Sequence, residues 1–296
     1  MSKLGVKLSV LVLSMACASA SWSSAKLETI RHISGLSKYV QKVVNKNGSE
    51  HTLLVFDDDD TLLKMPQALG SVGWWNWQSK LLAENPQSGD LVSDNFNGLL
   101  QVQVLLDSVS NMDLVSNKTP VLLKNWQKSG ITTMVLSARG PDMDNATLRQ
   151  LSVFDLSQGF KNHGLKMRNG STSLPGSFYP CGNSSMRPVS YENGVYNGSG
   201  QNKGVLLRCL LDRAGKTKKY TSIILIDDTL KNDQQFVEAY KHIKGVDVYA
   251  LHYTKLHNAK EEQLKNPRLH TQMVRSWNKI KSILGETLTK PNLPGA

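Results

Sequence analysis

The stretch Leu53-Leu54-Val55-Phe56-Asp57-Asp58-Asp59-Asp60-Thr61-Leu62 sets an apolar run directly against four carboxylates. A short continuous apolar run is what a strand buried on both faces presents. Crowding negative charge against it costs stability unless a cation or a reaction compensates, so the stretch reads either as a solvated acidic loop or as a site. A calcium loop of the EF-hand kind fits poorly, because Leu62 stands where that loop needs its glycine.

Three more apolar runs, 131–136, 222–226 and 246–251, share this continuous pattern and are separated by helical patterns. That is the grammar of an α/β fold with a doubly wound, mostly parallel sheet, whose ligands collect beyond the carboxyl ends of the strands. The run Ile223-Ile224-Leu225-Ile226 also leads into carboxylates, Asp227 and Asp228, with Asp233 following. In a parallel sheet both clusters fall on one edge. Asp57, Asp59 and Asp228 can then share one hard cation, and oxygen donors without a nearby His or Cys set favour magnesium over zinc.

The organisation around these strands follows from spacing. Leu27, Ile30, Ile33, Leu36, Val40 and Val43 predict an amphipathic helix over 27–46. The roughly seventy residues between the first two strands exceed a simple crossover, and helical stretches at 72–84 and 97–108 predict a helical cap inserted at about 64–125. A polar insert at about 159–202 carries Tyr191-Glu192-Asn193-Gly194-Val195-Tyr196, whose Asn-Gly centre predicts a tight hairpin, read as a small β-flap. Helices follow at 203–214 and from Pro267 to Gly285, and the proline-bearing residues 286–296 read as a flexible tail.

Four motifs, in order, resemble the haloacid dehalogenase (HAD) superfamily of phosphohydrolases. Asp57, Asp59 and Thr61 match Asp-x-Asp-x-Thr; Ser137, in Val135-Leu136-Ser137-Ala138-Arg139, matches the Ser or Thr after a strand. Lys203 matches the Lys that opens a helix, and Asp227, Asp228 and Asp233 match the closing acidic group. The resemblance implies a Rossmann-like core, a Mg2+ cofactor and a small phosphorylated substrate. Asp57 would be nucleophile and metal ligand; Asp59 would be acid and base, lending its backbone carbonyl to the metal; members without this second carboxylate are generally not phosphatases. Ser137 and Lys203 would stabilise the phosphoryl charge, with Asp228 on the metal and Asp227 and Asp233 in the outer shell, an exchange of Asp227 with Asp228 being open. Arg139 could clamp the phosphate, Thr61 belongs to the substrate side of the first motif, and one of Trp74, Trp75 and Trp77, with Trp74 foremost, could stack on substrate. Val72-Gly73-Trp74-Trp75-Asn76-Trp77-Gln78 and the Ser137-Ala138-Arg139 turn also look like an uncharacterised set of secreted HAD-like proteins of intracellular bacteria.

Residues 1–20 read as a secretory signal: Lys3 and Lys7, the apolar run Leu8 to Met15, and Ala18-Ser19-Ala20 as cleavage site. The product expected is a single HAD-like domain over 21–285, exported to periplasm or medium, without a transmembrane anchor. Cys209 lies in an apolar helical pattern and reads as a buried thiol, although an oxidising compartment permits a bridge to Cys181. The formal charge of +11, or +9 without Lys3 and Lys7, favours anionic ligands in general, and no nucleic-acid motif narrows the choice. A second function class is therefore carried alongside the phosphatase: a secreted HAD-like binding or effector protein acting on a protein partner.

Overall fold

The computed structural model describes residues 24–288. The expected signal at 1–20 lies outside the described residues, as does the tail beyond Leu288. The strands are β1 (Ala25–Ile30), β2 (Thr52–Phe56), β3 (Leu63–Lys64), β4 (Asp113–Leu114), β5 (Thr132–Ser137), β6 (Ser190–Glu192), β7 (Val195–Asn197), β8 (Ser222–Asp227) and β9 (Asp247–Tyr253). The helices are α1 (Leu36–Asn47), α2 (Val72–Glu84), α3 (Phe96–Val109), α4 (Thr119–Lys128), α5 (Asp144–Ser152), α6 (Leu156–His163), α7 (Lys203–Arg213), α8 (Leu230–Tyr240), α9 (His257–Lys265) and α10 (Pro267–Thr287).

Seven strands form one sheet in the order β1-β9-β8-β2-β5-β7-β6, parallel except for β6. Alternation along each central strand feeds two cores. Leu54 and Phe56 of β2 with Ile224 and Ile226 of β8 meet α1, α4 and α6 on one face, while Leu53 and Val55 with Ile223 and Leu225 meet α7 and α8 on the other. Covering both faces is what makes the runs continuous in sequence. The expected α/β, doubly wound parallel sheet is the fold this chain adopts. Among the described residues no helix is long and apolar enough to cross a membrane.

Two elements differ from expectation. The helix predicted over 27–46 begins only at Leu36; residues 25–30 form β1, each paired in parallel with β9 from Ala25 opposite Val248 to Ile30 opposite Tyr253. Leu27 and Ile30 satisfy a helical spacing, but this edge strand has one paired side and a largely exposed face, so it carries no apolar alternation to reveal it. The hairpin at Asn193-Gly194 forms with both turn residues at positive φ, 50° and 79°, as an Asn-Gly turn requires. It does not stand apart as a flap: β7 pairs with β5 through Val135–Val195 to Ser137–Asn197, and β6 closes that edge of the main sheet.

The segment between β2 and β5 contains α2 and α3, flanked by the short antiparallel pair β3 and β4. Ser71 and Asn95 cap the two helices, accepting from the N–H groups of Trp74 and Gly98 at 3.1 and 2.9 Å. They enclose a third apolar cluster, in which Trp74, Trp77, Leu99 and Leu106 pack with Met273 and Trp277 of α10. The helix predicted to close the chain thus belongs to the core of this segment and runs on to Thr287, past the expected start of the tail.

Candidate active site

β2 delivers Asp57 to the carboxyl edge, where its N–H donates to the Ile226 carbonyl of β8 at 2.9 Å. The chain then winds tightly. The Asp58 carbonyl accepts from the N–H groups of Thr61, Leu62 and Leu63, and Asp60 sits in the left-handed region at φ 59°. A turn this dense points successive carboxylates in different directions, which is how four adjacent aspartates are accommodated. Asp57, Asp58 and Asp60 are buried, and burial pushes all three carboxyls up: Asp58 to about 7 against the pull of Arg139, Asp60 to about 7 with help from Asp228, and Asp57 also, opposed by Lys203.

β8 ends in Asp227, with Asp228 next. Oxygen atoms of Asp57, Asp227 and Asp228 lie within 4.8 Å of one another. Lys203, the first residue of α7, reaches this group because Asn202 caps the helix, accepting from the N–H groups of Gly204 and Val205 at 3.0 and 3.1 Å. Its ammonium bonds Asp57 and, at 2.6 Å, Asp227. Burial alone would lower the Lys203 pKa, but Asp227 and Asp57 outweigh it and the net shift is upward, so the side chain stays charged. Three buried carboxylates with oxygen donors only, held this close, suit a hard divalent cation. Asp227, expected in the outer shell, stands in the group itself; its Oδ1 also accepts from Thr229 N–H at 2.8 Å and Asn232 Nδ2 at 3.1 Å. Asp233 is fully buried behind it, and burial with the neighbouring Asp227 pushes its carboxyl to about 9.

The second half of the turn is organised by Arg139. Its Nε and Nη2 donate to the two carboxylate oxygens of Asp59 at 2.9 and 2.7 Å, and Nη1 donates to Thr147 and Gln150 of α5 at 3.0 and 2.7 Å. The expected phosphate clamp is therefore occupied by protein groups. Asp59 in turn directs its carboxylate to Arg139 and outside the three-carboxylate group. Ser137 ends β5 on the same edge, its hydroxyl accepting from Arg139 N–H at 3.1 Å. Thr61 is fully buried, with no hydrogen-bond partner for its hydroxyl among the described residues. Trp74, expected on the substrate side, is 0 % exposed within the third apolar cluster, where the three tryptophans of 74–77 supply that segment with its core.

A family model described as a protein of unknown function (DUF2608) matches residues 29–289. The chain belongs to the DUF2608 family. No curated protein matches the sequence. Among solved structures, cytosolic 5'-nucleotidase IIIB bound to cytidine is similar over 82% of this chain and 92% of its own, at 14% identity and a TM-score of 0.35.

In this DUF2608 chain several site residues had no signature in sequence. Lys260 of α9 donates to the carboxylate of Asp228 and, at 3.0 Å, to its carbonyl. Asp107 of α3 lies 3.7 Å from Arg139, and Gln150 bonds both Arg139 and the Asp107 carbonyl, the latter at 2.8 Å. Each is one polar residue on an amphipathic helix, a pattern shared with any solvated face. Of the two readings of the cysteines, the buried thiol gives way to the bridge: Cys181 and Cys209 form a disulfide that ties the loop before β6 to α7, six residues beyond Lys203. A cavity of about 580 Å³ opens between α3 and Asp142 and contains none of the motif residues.

Proposed function

We propose that this protein is an exported, HAD-like phosphatase that hydrolyses a small phosphomonoester through an aspartyl-phosphate on Asp57, with Mg2+ as cofactor. The observation that carries the reading is the convergence of Asp57, Asp227 and Asp228 at the carboxyl edge of a parallel sheet, with Lys203 bonded to the first two. An anionic nucleophile approaches a phosphoryl group only where fixed positive charge offsets the repulsion. Asp57, Asp227 and Asp228 would hold the cation, which when bound supplies charge neutralisation at the phosphoryl oxygens.

The chain's own groups account for the remaining steps. Asp57 attacks phosphorus in line while the bond to the leaving oxygen breaks, and Lys203 balances the charge gathering on the phosphoryl oxygens. Ser137 offers its hydroxyl proton to the same group, since its oxygen already accepts from the backbone. Asp59, after taking up a proton from solvent on an oxygen lone pair that Arg139 leaves free, gives it to the leaving oxygen and later takes one from the water that attacks phosphorus and frees Asp57.

The test is residues 21–296 assayed with Mg2+ on a panel of phosphomonoesters beside Asp57→Asn. Phosphate release in the wild type with a loss of at least about a thousandfold in the variant is expected for a nucleophile. Equal activity in the two proteins rules out the mechanism, and no release from any ester turns the reading toward a binding or effector protein. For export, the mature product should begin near Ser21; an intact Met1 in the exported fraction argues against cleavage.

A further inference from the structure

Arg139 is engaged on every side by the protein itself. Of its five N–H donors, one at Nε and one at Nη2 hold Asp59 as a fork, and those of Nη1 go to Thr147 and Gln150. The carboxylates of Asp58 and Asp107 stand 3.3 and 3.7 Å away, on the Nη1 and Nη2 sides. The side chains of Arg139, Asp58 and Asp107 are at most 3 % exposed, whereas that of Asp59 is 31 % exposed. One member of the network therefore has an open face, and the rest form its buried backing.

That backing joins three separate parts of the chain. Asp58 and Asp59 belong to the turn after β2, Thr147 and Gln150 to α5, and Asp107 to α3. Asp107 is itself fixed, its Oδ2 accepting from Gln103 at 2.8 Å and its carbonyl from Gln150 at 2.8 Å and Arg149 at 3.1 Å. A phosphate recruited by Arg139 would have to displace Asp59 from a two-bond fork or strip the buried Thr147 and Gln150 acceptors of their donor, and a buried polar group left unpaired is costly.

Building on the phosphatase reading above, we propose that Arg139 is a positioning residue: its fork takes one lone pair of each Asp59 oxygen and so aims the remaining lone pairs for proton transfer at the leaving oxygen and, through Asp107, ties that orientation to helix α3. A lysine keeps the charge but not the planar fork. Arg139→Lys therefore loses the orientation of Asp59 while Asp57 and its cation group stay in place. Asp107→Asn keeps the shape of the α3 contact and removes its charge.

The two variants separate this role from a phosphate clamp and from a structural role. Nitrophenyl phosphate expels a stable phenolate and needs little protonation; glycerol phosphate expels an alkoxide and needs a proton. Values of kcat/KM, which report the steps up to the aspartyl-phosphate, are compared for both esters with Mg2+, and binding of inorganic phosphate is measured by calorimetry. Arg139→Lys is expected to lose at least about tenfold more on the alkyl than on the aryl ester, with Asp107→Asn smaller in the same direction and phosphate affinity little changed in both. Equal losses on the two esters, or a tenfold weaker phosphate affinity in Arg139→Lys, overturn the proposal. Should Arg139→Lys fail to fold, Asp107→Asn decides by the same ratio. A wild type inactive on both esters removes the phosphatase reading together with this one, whereas an active wild type with equal losses removes only this one.

Discussion

At the scale of single residues, the site is a problem of buried negative charge, and Asp233 shows it without the complication of direct contact with Lys203. Its carboxyl is pushed from 3.8 to about 9 by burial and then by Asp227, so the folded chain holds a proton that the unfolded chain releases above pH 4. A raised acid of this kind costs stability as pH climbs, by up to about 1.4 kcal/mol per pH unit between roughly 4 and 9, and no more beyond that. Asparagine resembles the protonated acid and does not titrate. In urea unfolding of the metal-free protein from pH 5 to 9, Asp233→Asn should gain on the wild type steadily with pH; parallel curves would mean that Asp233 is ionised in the fold. The carboxylates that end strands were legible in sequence, because a charge abutting an apolar run is visible locally. Their counter-ions were legible only in part. Lys203 opens a helix in a recognisable position, whereas Lys260 and Asp107 reach the site across the fold, and nothing within a few residues of either records it.

At the scale of elements, the position of Lys203 depends on how closely α7 approaches α8. Gly204 is the closest point: a Cβ there would stand 2.5 Å from Cβ of Ala239 and 3.2 Å from Cα of Phe236. Alanine normally favours a helix over glycine by about 1 kcal/mol, but overpacking of this kind costs about 1 to 3 kcal/mol and shifts the backbone. Gly204→Ala should therefore lower the melting temperature and reduce activity, since the shift is applied one residue from Lys203. Ala239→Gly, which removes the opposing methyl group, should restore part of both in the double variant; additive losses would place the fault elsewhere. The central strands could be read from sequence because burial on both faces leaves a continuous apolar signal. β1 could not, since an edge strand with residues 26–29 exposed has no face to mark it. The hairpin was legible from Asn193-Gly194, but its partner was not: turn chemistry fixes which strands join, and only the apolar contacts of Tyr191 and Tyr196, both fully buried, decide that they join the main sheet.

At the scale of the whole molecule, two of the three apolar clusters share the sheet between them and the third is a satellite, built by α2 and α3 and completed by α10. The chain thus closes its inserted segment with its own last described helix. Trp277 is 2 % exposed in that cluster with Met273, and His270 one turn before Met273 stacks on Trp77 at 4.0 Å between ring centroids. The sheet and the satellite remain linked through α9, where Gln263 accepts from Ser71 at 3.1 Å and Lys260 holds Asp228. Truncating a buried tryptophan costs about 3 to 5 kcal/mol, and a satellite with its own core can open below the global unfolding free energy. Trp277→Ala should therefore speed amide exchange in α2, α3 and α10 while β2 and β8 keep their protection, measured by native-state hydrogen exchange with mass spectrometry. Because Asp107 and Arg139 join α3 to Asp59, the same variant should lose turnover before it loses the sheet. If protection fell equally in β2 and in α3, the satellite and the sheet would be one cooperative unit, and an opening of α2 and α3 would require unfolding the whole chain.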